Sequence, residues 1–250
     1  MNTRFSCVGC GSCCTDHHVP LTLGEARQWA EDGGNVIVLT EAFLDNGYGL
    51  PVEQTTHATR RSIKVSSGQT HAHVAITFAA YNVGPCRNLD EEKLCRIYER
   101  RPLVCRIYPM EINPHIPLRP ENKGCPPESW DQGPDLIVGD KLVDMQLMEL
   151  IEQSRQADRD DIAAKESICQ LLGINTTALK GNGFVAYLPD MAAFASALAQ
   201  VVDDRQASSI TADWTFHVAG DSVQQTLQHA GASLAWEAPT RYLFIPLQAG

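Results

Sequence analysis

Eight cysteines in the first half of this chain are the side chains best able to do chemistry. Cys7, Cys10, Cys13 and Cys14 fall in the run C-V-G-C-G-S-C-C, and Cys86, Cys95, Cys105 and Cys125 follow. A thiolate is a soft anionic donor that suits zinc, copper(I) or an iron–sulfur cluster. A two-residue gap lets one tight turn aim two sulfurs at one centre. The eight are therefore candidate metal ligands, and the cofactor they imply is an Fe–S cluster or Zn2+. Several assignments are open: two separate four-thiolate zinc sites, one Fe4S4 cluster with four thiols left for another site, or a binuclear site with bridging sulfurs. Side chains of adjacent residues usually diverge. Cys13 and Cys14 are thus expected to serve different centres, unless one of them is not a ligand. Cys169 stands alone on a predicted helix and reads as a small buried hydrophobe.

Other polar groups lie close by in the chain. Asp16, His17 and His18 follow Cys14 directly. Either histidine could ligate or carry a proton, although paired loop histidines are more often solvated. His71 and His73 read as ordinary surface histidines. Arg87, Arg96, Arg101 and Arg106 interleave with the downstream cysteines. Guanidinium groups there would offset the charge of crowded thiolates. For Arg87 and Arg96, ion pairs to Asp90–Glu92 are an equally good expectation.

Composition narrows the class. A chain of 250 residues can bury a real core. No apolar run is long enough to span a membrane, and Met1 to Ser6 lack the apolar core of a signal peptide. A cytoplasmic protein is expected, in a compartment where thiols bind metal or do redox chemistry more often than they form disulfides. The formal net charge is −10, and the whole excess lies beyond residue 125. Such a balance argues against nucleic acid as a partner. It suits a basic protein or peptide, or serves solubility alone. Nothing in the sequence specifies an oligomeric state.

The elements that must position the cysteines can be read from local signals. Thr22 with Glu25 forms a capping box, so a helix should start near Leu23 and stop at Gly33-Gly34. Asn35–Leu39 is a short β-branched strand, and residues 45–58 read as loop. Arg61–Ser66 and His73–Ala79 are strands joined in a hairpin; Val74, Ile76 and Phe78 alternate with smaller residues at period two. The hairpin delivers the chain to Gly84-Pro85-Cys86. Cys86 to Cys95 reads as a metal knuckle of two short strands. Pro102 opens a helical turn and Pro109 ends it.

Residues 134–172 read as two helices. The first has an apolar stripe of Leu142, Met145, Met148 (or Leu147) and Ile151; the second is closed by Gly173. Further on, Phe184–Leu188 and Trp214–Val218 read as strands, and Asp190–Val202 and Asp221–Ala230 as helices. Leu234–Glu237 and Arg241–Pro246 read as a hairpin. The fold class expected is α+β. Residues 1–130 would form a cysteine-cluster metal-binding domain, 131–175 a helical segment, and 176–250 a small α/β region without cysteines.

Taken together, C-x2-C-G-x-C-C, V-P-L-T-x-x-E-A, G-P-C and above all C-R-I-Y-E-R-R-P-L-V-C-R-I-Y-P resemble the CxxCxxCC family of zinc- or iron-chelating proteins, also called YkgJ-type cysteine-cluster proteins. The resemblance covers residues 5–127. It implies a cysteine-ligated metal centre of otherwise unassigned role, with Cys7, Cys10, Cys13, Cys14, Cys86, Cys95, Cys105 and Cys125 as ligands. One relative is the flagellin lysine N-methylase. An alternative function is therefore protein-lysine methylation, with the acidic half receiving a basic segment. A further alternative is metal trafficking or scaffolding. No separate S-adenosylmethionine motif is visible, and the C-x3-C-x2-C triad of radical enzymes is absent.

Overall fold

The structure, a computed structural model, describes residues 2–203, 212–236 and 240–247. Its strands and helices in chain order are Asn2–Arg4 (β1), Val19–Leu21 (β2), Leu23–Glu31 (α1), Asn35–Leu44 (β3), Thr55–Thr59 (α2), Ile63–Ser67 (β4), Thr70–Tyr81 (β5), Leu103–Ile107 (α3), Glu128–Asp131 (α4), Asp135–Val138 (β6), Lys141–Leu142 (β7), Met145–Asp160 (α5), Ile162–Leu171 (α6), Thr176–Leu179 (β8), Gly183–Tyr187 (β9), Met191–Asp203 (α7), Thr215–His217 (β10), Asp221–His229 (α8) and Leu243–Pro246 (β11). The class is α+β, as the sequence leads one to expect, with the cysteines gathered in the N-terminal region. No helix among the described residues is long and apolar enough to cross a membrane.

Strand β3 is the spine of an eight-stranded sheet. One edge pairs with β5 in unbroken antiparallel register from Asn35↔Tyr81 to Leu44↔Ala72. The other edge is shared, with β9 antiparallel at residues 38–40 and β8 parallel at residues 41–42. Beyond β5 lie β2 and β4; β10 extends β8, and β11 extends β9. The alternation read from Val74, Ile76 and Phe78 is the inward face of β5, and all three are buried. They meet α1, α6, α7 and α8 in the main core through residues such as Trp29, Ile168, Phe194 and Leu227. A smaller core of Ile107, Leu136, Leu147, Leu150 and Ile151 joins α3, α5 and β6 beneath the cysteine region.

The helix ends follow their sequence signals. Thr22 and Glu25 make both bonds of the capping box. At the far end, Gly34 N–H bonds to Trp29 O and Gly33 N–H to Ala30 O, a Schellman pair that needs the left-handed φ of +77° at Gly33. Gly34 lies under the Trp29 indole, whose Nε1 donates to Asn35 O at 3.0 Å. Gly173 closes α6 in the same manner.

Four local expectations change. Within 45–58, Thr55–Thr59 is helical rather than loop. Residues 135–142 form the β6–β7 hairpin, so the first of the two expected helices begins only at Met145. Asp144 accepts the Leu147 N–H and sets the phase of that helix. Its buried side is therefore Leu147, Leu150 and Ile151, while Met145 is 68 % exposed rather than core. Finally, Leu243–Pro246 pairs with the open edge of β9. Leu234 makes a single parallel bridge to Phe216 instead, and residues 237–239 of the expected hairpin lie outside the described residues.

Phe78 and Phe194, both fully buried, meet edge to face at 5.3 Å between the sheet and α7. Phe78→Ala is expected to lower stability by about 3–5 kcal/mol, since it removes a ring from a packed interior. Denaturant unfolding measures it; a loss below about 1 kcal/mol would contradict this packing.

Candidate metal centre

The short β2–β5 ladder brings the first and second cysteine groups together. Val19 pairs with Ala80 and Leu21 with Phe78. In an antiparallel pair, the chain before one strand runs beside the chain after the other. The ladder accordingly resumes as a bridge between Thr15 and Pro85, and Cys86 N–H donates to Cys14 O at 2.6 Å. From there residues 86–96 fold into the expected knuckle. Leu89 N–H bonds to Cys86 O, Leu89 bridges Cys95, and Arg96 N–H bonds to Asn88 O. Asp90 closes the tip by accepting the Leu94 N–H at 2.7 Å.

Cys105 arrives on α3. This helix is only five residues long, too short to hold itself in water. Glu25 anchors it: Oε2 accepts Thr22 N–H at 2.9 Å for the capping box, while Oε1 accepts Leu103 N–H at 2.7 Å. One carboxylate thus joins the start of α1 to the start of α3. Ile107, two residues past Cys105, is buried in the smaller core.

A separate ladder places Cys7 near Cys125. β1 pairs antiparallel with β6, and the pairing runs on through Phe5 N–H to Pro134 O and Ser6 N–H to Ser129 O. Phe5 packs on Trp130 at 5.0 Å. Gly124 lies against Ser12. Cys125 Sγ is 3.3 Å from the Tyr108 hydroxyl, and Lys123 Nζ stands over the same ring at 5.4 Å.

All nine cysteines are free thiols. Cys13 Sγ and Cys14 Sγ are 3.9 Å apart, close to the roughly 3.8 Å edge of a tetrahedron with 2.3 Å zinc–sulfur bonds. Among the described residues, no three His, Cys, Asp or Glu side chains stand at the spacing of a closed metal site. The sulfurs are gathered into one region and not drawn to a point. Their protons reflect that crowding. A hydrogen bond to Cys14, then burial, holds the Cys13 thiol well above its ordinary value, and the same bond lowers Cys14. Burial, followed by the charges of Cys13, Cys86 and Cys95, pushes Cys105 up to about 12. Burial also raises Cys86 and Cys125. The Arg101 guanidinium acts the other way on Cys13 and Cys105, as expected for a cation among thiolates. The donor set therefore fits zinc or iron–sulfur: free, soft, clustered and partly buried, with fixed positive charge beside it.

The remaining candidates separate cleanly. His17 and His18 are exposed, His17 Nδ1 at 2.5 Å from Thr15 O and His18 against the Tyr81 ring. His73 is mostly buried rather than on the surface, stacked on Phe43 and bonded to Asp45. Neither Arg87 nor Arg96 pairs with Asp90–Glu92 among the described residues. Arg87 instead lies at the C-terminal end of α1 beside Gly33, where helix carbonyls favour a cation. Cys169 is buried in the main core. Tyr108 and Glu25 are the site residues that the cysteine pattern did not reveal. Tyr108 lies within the C-R-I-Y-P motif, and Glu25 was legible only as a cap. A cavity of about 620 Å3 opens beside the thiols, lined by Cys10, Ser12, Thr15, Leu89, Lys93 and Arg96 among others.

Residues 6–126 match the CxxCxxCC family model, described as a "putative zinc- or iron-chelating domain". The matched span, just under half of the chain, encloses all eight clustered cysteines. No curated protein and no solved structure matches the chain.

Glu25→Ala leaves the Leu103 and Thr22 amides without their acceptor. It is expected to lower stability by about 1–3 kcal/mol and to speed amide hydrogen exchange at Leu103. Glu25→Gln, which keeps a carbonyl oxygen, restores most of the Leu103 protection. Unchanged Leu103 exchange in the alanine variant would show that the carboxylate does not hold α3.

Proposed function

We propose that this is a cysteine-ligated metal-binding protein in which Cys7, Cys10, Cys13, Cys14, Cys86, Cys95, Cys105 and Cys125 hold zinc or an iron–sulfur centre of structural or redox role. The observation that carries this reading is convergence. Free thiols from four separated stretches of chain meet in one region, each brought there by its own backbone pairing or helix anchor. A bound metal supplies a cross-link between those stretches, and its binding energy is then folding energy. Arg101 offsets the negative charge of the sulfurs. The Tyr108 hydroxyl is placed to donate to the Cys125 thiolate, the kind of outer contact that orients a ligand. We place the protein in a reducing cytoplasm, the compartment in which clustered thiols bind metal more often than they form disulfides.

A second reading, lysine methylation of a basic protein segment, draws on the cavity beside Cys10 and on the acidic second half of the chain. Labelled S-adenosylmethionine offered with basic peptides, anaerobically and with the centre intact, distinguishes the two. No transfer leaves the metal-binding role standing alone.

Cys10→Ser and Cys105→Ser are each expected to lower bound metal and the melting temperature. Metal analysis of anaerobically purified protein, with acid-labile sulfide and the visible spectrum, measures the first and identifies the centre. Full metal content with unchanged melting in both variants would refute the ligand assignment.

A further inference from the structure

We infer that the cleft between the sheet, α2 and the 103–113 stretch binds a small aliphatic carboxylate, its charged head held by Arg61 and His57 and its apolar body by the wall that α3 forms. No cysteine lines this cleft, so the site is separate from the thiols and does not depend on the metal-binding reading.

Two cavities meet at Arg61 and Asn113, which line both. The larger, of about 300 Å3, lies between Thr77 on β5, the α3 residues Leu103, Val104 and Ile107, and Met110 and Ile112 beyond them. The smaller is a slot between α2 and the sheet residues Phe43 and Ala75. A mainly apolar chamber with a few converging polar groups is the ordinary form of a small-ligand site.

The unmet polar groups define the ligand. His57 and Arg61 stand four residues apart, on α2 and the turn that closes it, and both line the slot. His57 Nε2 and Arg61 Nε are shut off from solvent and have no hydrogen-bond partner among the described residues. Buried groups of this kind call for a partner. The guanidinium can only donate, and His57 Nε2 donates when its proton sits there. Asn113 Oδ1 already accepts the His115 N–H at 3.0 Å, which leaves its NH2 to donate as well.

The carboxylates that line the cleft, by contrast, are all engaged. Both oxygens of Glu25 accept backbone amides. Glu111 is paired with Lys123 and Glu41 with Lys180, while Asp158 is shared between Arg61 and Lys165. What the cleft lacks is therefore an acceptor from outside. A single guanidinium, already 3.0 Å from Asp158, suits one negative charge and not the two of a phosphate dianion. The same shortage is felt at His57, which burial and then the charges of Arg61 and Arg155 lower to about 4.

The test uses the full chain, labelled with nitrogen-15 and titrated with sodium 4-methylpentanoate or with the uncharged 4-methylpentanamide. The Arg61 Nε–Hε resonance, assigned through its own side-chain carbons, and the backbone amides of residues 103–113 are followed by NMR. A saturable shift with the carboxylate is expected in the millimolar range or below. The amide should bind at least about tenfold more weakly, as loss of a charge-assisted hydrogen bond requires. Arg61→Gln should weaken carboxylate binding by about the same factor. His57→Gln, which leaves the Arg61–Asp158 pair in place, should weaken it several-fold. Absence of a saturable shift, equal affinity for acid and amide, or unchanged affinity in either variant would overturn the assignment. If Arg61→Gln does not fold, the acid–amide comparison on the unaltered protein and the His57→Gln titration decide the matter.

Discussion

The ladder between β3 and β5 is the constraint on which the rest depends. Its register sets where β5 ends, and the end of β5 sets where Gly84-Pro85-Cys86 begins. β2 then docks on β5 in antiparallel sense, and the chain before β2 has nowhere to run except alongside the chain after β5. The Cys14–Cys86 hydrogen bond is the continuation of that sheet into a loop. A metal region built this way needs no long-range search by side chains. Sheet formation alone brings two cysteine groups, separated by more than sixty residues of chain, into register.

The pieces that cannot be positioned by the sheet are held by charge. α3 is too short to be stable alone, and the Glu25 carboxylate joins it to a longer helix. Asp161 does the same for α6, accepting the Leu23 N–H at 2.7 Å so that α1 begins against the α5–α6 junction. Arg100 reaches Asp32 at 3.2 Å and ties the stretch after the knuckle to the other end of α1. Exposed pairs of this last kind add little to stability. The carboxylate-to-amide bonds at helix starts count for more, because the unpaired amides would otherwise be left half-buried.

Much of this was legible locally. Thr22 and Glu25 announced a helix start, Gly33-Gly34 its end, and the alternation through Val74, Ile76 and Phe78 a half-buried strand; each signal depends on residues within a turn or two of one another. The cysteine spacing pointed to soft-metal chemistry for the same reason. What escaped were features decided at a distance. Met145 fits an apolar stripe by spacing, but it follows directly on the cap at Asp144 and stays exposed, while Leu147, Leu150 and Ile151 face the smaller core. Leu243–Pro246 has a near neighbour in sequence with which to pair, yet the open edge of β9 takes it.

Residue order alone therefore established a soft-donor, α+β protein with its chemistry concentrated ahead of residue 126, since thiol type, gap length and hydrophobic period are properties of short stretches. It also established that Glu25 would cap a helix. Only the folded chain decided that the same carboxylate would anchor the helix carrying Cys105. Likewise, only the fold decided that Cys14 would lie against Cys86 while Cys7 lies toward Cys125. Those outcomes hang on which strand edges meet, and an edge chooses its partner by the burial of whole faces, a quantity no short stretch of sequence contains.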